Sequence, residues 1–318
     1  MKPVRVAVAS RSFSKHPVLR AELLARFPNT TFNDAGVSLK GTALIDFLKG
    51  HERAITALER LDDALFAAVP ELKVIGKYGV GTDMIDLEAM RRHGVSLGWI
   101  AGVNKRSVAE LAVSFAIALL RHVPAAAAEA RSGQWRQLQG RQLSGRTVGI
   151  VGCGHVGKDL VRLLKPFGCT ILVHDVRSFP DFYTEHGIEA VGLDALLARA
   201  EIVTLHIPLD ETTRGLLSAE RLKLMRPDAV LLNLARGGLV DEEILKVMLK
   251  DGRLAAAGFD VFTAEPPEDL ELLSLPNFLG TPHIGGASEE AVLAMGRAAI
   301  AGLEDFGDPV EVVAGQGG

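Results

Sequence analysis

The chain has little cysteine, no apolar run long enough to cross a bilayer and no excess of positive charge. Only Cys153 and Cys169 occur in 318 residues, so a disulfide framework is not expected and a reducing cytoplasm is the expected location. No stretch reaches ~18 consecutive apolar residues, so no transmembrane helix and no membrane partner are expected. The opening MKPVRVAVAS is a short alternating strand, not a basic segment followed by an apolar signal core. A net charge of −4 does not supply the basic face that displaces counterions from phosphates, which argues against nucleic acid as a partner. No His-x-x-x-His or Cys-x-x-Cys pair is present, so no metal site is expected. No Gly-x-Ser-x-Gly turn follows a strand run, as a serine hydrolase would need.

What is present is apolar and ordered. Hydrophobic residues make up 48% of the chain and mean hydropathy is slightly positive, the balance of a well-buried globular protein. The length suggests two domains. Short apolar runs alternate with helical patterns from end to end. Strand candidates are Arg5–Ala9, Ala54–Leu58, Lys73–Ile75 and Val95–Leu97, then TVGIVG, TILVHD, EIVTLHI, AVLLNLA, LAAAGFD and NFLGTP. Runs that are apolar on both faces and separated by helix-length connections predict βαβ units around parallel sheets. Between the two parts, Ser107 followed by Glu110 predicts a capping box. The helix after it carries Leu111, Val113, Phe115, Ile117, Leu119 and Leu120 on nearly every face, which predicts burial in a core or against a partner subunit.

Residues 147–157, TVGIVGCGHVG, fit Gly-x-Gly-x-x-Gly at Gly152, Gly154 and Gly157. The motif follows a strand run and opens a helical one, and the next strand run ends in Asp175, 18 positions beyond Gly157. That is the context a dinucleotide loop requires. Gly152 permits the tight turn, Gly154 the approach of backbone N–H groups to a pyrophosphate, and Gly157 close helix–strand packing. Asp175 can accept hydrogen bonds from a ribose diol and repel a 2′-phosphate, which favours NAD over NADP, although Arg177 can pair with such a phosphate. Of the neighbours, His155 is expected to face solvent or to lie near the phosphates, and not to be catalytic.

In open parallel sheets ligands bind beyond the carboxyl ends of the strands. The strand runs end in His206 and Pro208, in Ala235 and Arg236, in Asp260 with Glu265 shortly after, and in His283. A nicotinamide enzyme must move a proton as the hydride moves, and histidine suits this near neutral pH. Glu265 can hold the imidazole in one tautomer and favour its protonated form. Arg236 can grip a carboxylate with two parallel hydrogen bonds. Each residue also has an ordinary reading, as an ion pair, a solvated loop acid or a turn histidine. Their convergence is what gives them weight.

Together the stretches LKVIGKYGVGTDMIDLEAMRRHGV, NKRSVAELA, LSGRTVGIVGCGHVGKDL, HIPLDETTRGLL, LLNLARGGLVDEEIL, GFDVFTAEPP and TPHIGGAS resemble the D-isomer-specific 2-hydroxyacid dehydrogenases, most closely their phosphoglycerate dehydrogenase branch. The resemblance covers nearly the whole chain. It implies an α/β protein of two Rossmann-like, doubly wound parallel-sheet domains with an active-site cleft between them. The substrate domain would be discontinuous, 1–100 and 287–318, and the dinucleotide-binding domain would be 101–286. It implies His283 as catalytic acid/base, Glu265 as its carboxylate partner and Arg236 as the substrate-binding arginine. Gly152, Gly154, His155, Val156, Gly157, Asp175, His206, Pro208, Ala235 and Asp260 would hold NAD, with Asp260 near the nicotinamide carboxamide. The backbone of Tyr78, Gly79 and Val80 would hold the substrate carboxylate. A homodimer through the helix starting near Ser107 is implied as well.

Some positions depart from the family's usual pattern. Met84 and Leu111 stand where asparagine and histidine are common, and Lys77 and Tyr78 replace Arg-Ala. Lys77 and Arg11 offer cations for an anionic distal group on the substrate, or are solvated surface charges. The expected activity is therefore that of an NAD-dependent D-2-hydroxyacid dehydrogenase. The expected enzyme is phosphoglycerate dehydrogenase-like and acts on a small 2-hydroxy or 2-keto acid with an anionic distal group; the alternative is a reductase of another 2-keto acid such as phosphonopyruvate, hydroxypyruvate or glyoxylate. The rivals are a non-catalytic NAD-responsive regulator and an oxidoreductase of a small anion such as formate or phosphite. Glu265 argues against the formate version, which uses glutamine there. The chain ends soon after its returning helix, so no added regulatory domain is expected.

Overall fold

A computed structural model describes residues 4–316. The chain divides into two compact units, one from the N-terminus to Asn104 together with Ala287 onward, the other Lys105–Gly286.

The first unit is built on a five-stranded sheet. Its strands are β1 (Val6–Val8), β2 (Thr30–Phe32), β3 (Arg53–Thr56), β4 (Val74–Lys77) and β5 (Ser96–Gly98). Every pairing is parallel, in the order β2-β1-β3-β4-β5. This is a doubly wound order whose direction reverses between β1 and β3. The strands are short and apolar because both faces are covered. One face packs Ala7, Ala54, Ile75 and Leu97 against Leu44, Phe66 and Met90. The other packs Val6, Val8 and Ile55 against Leu19, Leu23 and, from the far end of the chain, Ala299, Ile300 and Leu303. These last residues belong to the helix Glu289–Ala301 and the turn after it. Full burial of a side chain such as Ile300 or Leu303 contributes roughly 1.5–3 kcal/mol.

The second unit carries β6 (Thr147–Val151), β7 (Thr170–His174), β8 (Glu189–Ala190), β9 (Ile202–Leu205), β10 (Val230–Asn233), β11 (Ala256–Phe259) and β12 (Phe278–Gly280). They form one parallel sheet in the order β12-β11-β10-β9-β6-β7-β8. The order reverses beside β6, which places a switch point between β6 and β9. Among the described residues, no single helix is long and apolar enough to cross a membrane.

Several local expectations are corrected. Strands β2 and β8 were not read from the sequence. The run Ala54–Leu58 leaves the sheet after Thr56, and Leu58 is 78% exposed. The capping box fails because the helix begins at Lys105. Ser107 therefore sits inside its first turn, and its hydroxyl donates to the Gly285 carbonyl instead. That helix, Lys105–Leu120, buries Val108, Ala112, Phe115, Leu119 and Leu120, while Ile117 is exposed. A further helix, Pro309–Gln316, follows the one expected to end the chain.

Candidate active site

Three candidate residues follow the carboxyl ends of three adjacent strands. Arg236 follows β10, Glu265 follows β11 and His283 follows β12. His283 Nδ1 lies 2.9 Å from Glu265 Oε2, with both side chains partly exposed. The other carboxylate oxygen, Oε1, accepts from the Phe262 backbone N–H at 3.2 Å, which fixes the acid relative to β11.

His283 has a backbone φ of 55°. A residue with a Cβ enters this left-handed region at a cost of about 1–2 kcal/mol, so its surroundings must hold it there. Asp260, 1% exposed at the end of β11, does so. Its Oδ1 accepts from Thr281 Oγ1 (2.5 Å) and Ile284 N (2.7 Å), its Oδ2 from Gly285 N (2.7 Å), and its backbone carbonyl from His283 N (2.9 Å). Three donors thus fill most of a carboxylate expected to face the cofactor, and about one of its four lone-pair sites remains.

Arg236 lies in a turn held by Asn233, which is fully buried at the end of β10. Asn233 Nδ2 donates to the Arg236 carbonyl at 2.8 Å, and its Oδ1 accepts from Ala235 N at 3.2 Å. Gly237 brings this turn against the Phe262 carbonyl, so closely that an added Cβ would overlap the oxygen. The arginine turn and the glutamate loop are therefore packed backbone to backbone.

Across the switch point, β6 runs into the glycine motif and the helix His155–Leu164. Gly152 has φ of 99°, and a Cβ there would overlap the His206 carbonyl. Gly157 brings the helix so close to the turn that a Cβ would overlap the Gly152 carbonyl. Gly154, the residue before the helix, is extended, with His155 and Val156 opening the first turn. At the end of β7, Asp175 Oδ2 accepts from Cys153 N at 2.6 Å and Oδ1 from Arg177 N at 2.8 Å. A glycine cradle at a helix N-terminus with an anchored carboxylate at the neighbouring strand end fits a dinucleotide. Cys153 is buried inside the cradle, and burial pushes its thiol up to about 11, so it stays protonated. His206 follows β9, with its Nε2 2.9 Å from Thr204 Oγ1. Burial pushes its imidazole down to about 4, so it is neutral at pH 7. Pro208 is exposed two residues on.

Apart from Arg236, the residues expected to touch substrate lie in the first unit. Lys77 ends β4 and is 2% exposed, so it is not a solvated surface charge. Its Nζ donates to the Tyr78 carbonyl at 3.2 Å. The partner of Lys77 across the sheet is Thr56, whose buried Oγ1 has no hydrogen-bond partner among the described residues. Tyr78 is 7% exposed and packs edge-on against Phe13, with ring centroids 5.5 Å apart. Burial raises its phenol above the usual tyrosine range, partly opposed by a hydrogen bond from Ser12. Gly79 has φ of 112°, and Val80 is half-buried. Arg11 is exposed in the short helix after β1.

The profile of the D-isomer specific 2-hydroxyacid dehydrogenase NAD binding domain matches residues 113–285. The chain belongs to this family. The second unit is thus an NAD-binding domain. A D-3-phosphoglycerate dehydrogenase of Methanocaldococcus jannaschii is 40% identical over 229 residues, 71% of this chain and 44% of that protein. The match therefore spans less than half of that relative's length. A glyoxylate reductase of Thermococcus litoralis is 36% identical over 242 residues, 73% of each chain. A crystal structure from Polaromonas sp. JS6 66 is similar with a TM-score of 0.87 at 30% identity, covering 95% of this chain and 96% of that one.

The family resemblance pointed to the arginine, glutamate and histidine but not to the residues that hold them. Asn233 was legible only as a polar interruption in the apolar run AVLLNLA. Ser107 looked like a cap, and the loop-anchoring bonds of Asp260 had no sequence signal.

Proposed function

We propose that this dehydrogenase reduces a 2-keto acid to the D-2-hydroxy acid with NADH, and that Arg236, Glu265 and His283 are its catalytic residues. The observation that carries the proposal is the 2.9 Å contact of His283 Nδ1 with Glu265, beside an arginine turn on the neighbouring strand. Glu265 occupies Nδ1 and leaves Nε2 as the atom that gives a proton to the forming alkoxide. Arg236 grips the substrate carboxylate through its planar guanidinium. Gly152, Gly154, His155, Val156 and Gly157 cradle the pyrophosphate, and Asp175 binds the adenosine ribose, which favours NAD over NADP. His206, Pro208, Ala235 and Asp260 complete the cofactor contacts. When bound, the dihydronicotinamide supplies the hydride.

We assign the substrate domain to 1–100 with 287–318, and the substrate contacts to the backbone of Tyr78, Gly79 and Val80. The buried cation of Lys77, with Arg11, selects a substrate with an anionic distal group. A phosphoglycerate dehydrogenase and a glyoxylate reductase among the relatives bracket the range of tails. The exposed Ile117, with the half-buried Leu111 and Val113 on the same helix, supports a homodimer through Lys105–Leu120. The two free cysteines support a reducing, cytoplasmic location.

The test is a panel of 3-phosphohydroxypyruvate, phosphonopyruvate, hydroxypyruvate, glyoxylate and pyruvate with NADH and NADPH. Turnover of a keto acid with NADH supports the reading. Tight NADH binding without turnover of any of them refutes it and favours an NAD-responsive regulator.

A further inference from the structure

We propose that Ser107 is a positioning residue for His283, acting through the carbonyl of Gly285. The inference rests on the reading of His283 as the acid/base. His283 occupies a left-handed backbone conformation that its neighbours must hold. The loop Thr281–Gly285 is tied on one side by Asp260, through Thr281 Oγ1, Ile284 N, Gly285 N and His283 N. All of those bonds come from a single residue at the end of β11, so by themselves they leave the far side of the loop unsecured.

The far side is met by the helix Lys105–Leu120. Ser107 Oγ donates to the Gly285 carbonyl at 2.6 Å across 178 positions of sequence. Gly285 is buried between the two elements, because a Cβ there would stand 3.0 Å from Asp260 Oδ2 and 3.4 Å from Val108 Cγ2. The next residue is also glycine, so nothing in the chain itself resists rotation of this peptide once the hydroxyl is gone. The helix is a firm base for the bond. Arg106, one residue earlier, pairs with the buried Asp159 of the helix His155–Leu164 at 2.9 Å. One helical turn thus connects the helix of the glycine cradle to the loop that carries His283. The hydroxyl of Ser107 fixes where the imidazole sits relative to Glu265.

The test compares Ser107→Ala and Ser107→Thr with the unaltered full chain. It reads hydrogen exchange over residues 278–288, NADH affinity by fluorescence, thermal melting, and kcat and KM for glyoxylate and hydroxypyruvate. Ser107→Ala is expected to speed exchange of the Ile284 and Gly285 amides by about tenfold or more. It is expected to lower kcat by about 10- to 100-fold, with NADH affinity and melting temperature nearly unchanged. Ser107→Thr, which keeps the hydroxyl, should restore both. Unchanged exchange overturns the clamp. Faster exchange with unchanged kcat overturns the link to His283. Equal losses of kcat, NADH affinity and melting temperature reduce Ser107 to a structural role. If the unaltered protein turns over no keto acid, the parent reading fails, while the exchange measurement still decides whether the clamp exists.

Discussion

His283 and Glu265 share a hydrogen bond of 2.9 Å although 18 positions separate them, and both are fastened at the end of β11, Glu265 by the Phe262 amide and His283 by Asp260. The pair acts as a unit. Replacing His283 with Ala removes the proton donor, and kcat for keto acid reduction is expected to fall by about 10²–10⁴-fold. Glu265→Gln can present an amide N–H to Nδ1 and so favour the wrong tautomer, with an expected loss of up to about 10⁴-fold. Steady-state kinetics with saturating NADH checks both, and near-full turnover by either variant removes that residue from the mechanism.

The contact of Gly237 with the Phe262 carbonyl gives a test that alters no charge. Gly237→Ala must push the arginine turn away from the glutamate loop. A displacement of about 1 Å at Arg236 is expected to cost on the order of 10² in kcat/KM, while the second unit still binds NADH. Loss of NADH binding in equal measure would mean that the substitution disrupts the domain as a whole.

Cofactor choice is expected to follow Asp175. Its carboxylate is pinned by the Cys153 and Arg177 amides and cannot swing away from a 2′-phosphate. A like-charge contact of that kind costs several kcal/mol. Asp175→Ser, leaving Arg177 in place, should raise the NADPH-to-NADH ratio of kcat/KM by at least about tenfold. An unchanged ratio would place the discrimination elsewhere.

His206 makes stability depend on pH. Its folded pKa of about 4 lies below the ordinary 6.5, so between those values the unfolded chain binds the extra proton. The stabilisation is complete above pH 6.5 and is lost as pH falls towards 4, by up to about 3 kcal/mol. Denaturant unfolding at pH 7 and pH 4.5 should show a smaller loss in His206→Gln than in the unaltered protein. Equal losses would show that His206 does not carry this dependence.

The sequence displayed the central strands because they are apolar on both faces and several residues long. It did not display β2 and β8. These are edge strands of two or three residues, and Thr30, Thr31, Glu189 and Ala190 are wholly or partly exposed, so they carry neither an apolar run nor an alternation. The strand ends could be found because Arg236, Glu265 and His283 interrupt or follow apolar runs. The conformation of His283 could not, since histidine's enrichment in the left-handed region does not single out one of nine histidines, and the bonds that hold it come from Asp260 and Ser107. The burial of Lys77 was hidden for a related reason. A lysine at a strand end reads as solvated until the rest of the unit is assembled around it.

The first unit draws part of its core from the far end of the chain. Val6, Val8 and Ile55 pack against Ala299, Ile300 and Leu303, and the whole of Lys105–Gly286 lies between them in sequence. On the ribosome, the N-terminal strands must therefore wait for the intervening residues, roughly 10–40 s at 5–20 residues per second. During that interval one face of their sheet lacks part of its cover, with only the N-terminal Leu19 and Leu23 side packed on it. The NAD-binding unit, made of one unbroken stretch, is free to close first. The half of the protein that is synthesised earliest is thus the last to be completed, and it is the half whose apolar surface a chaperone would meet.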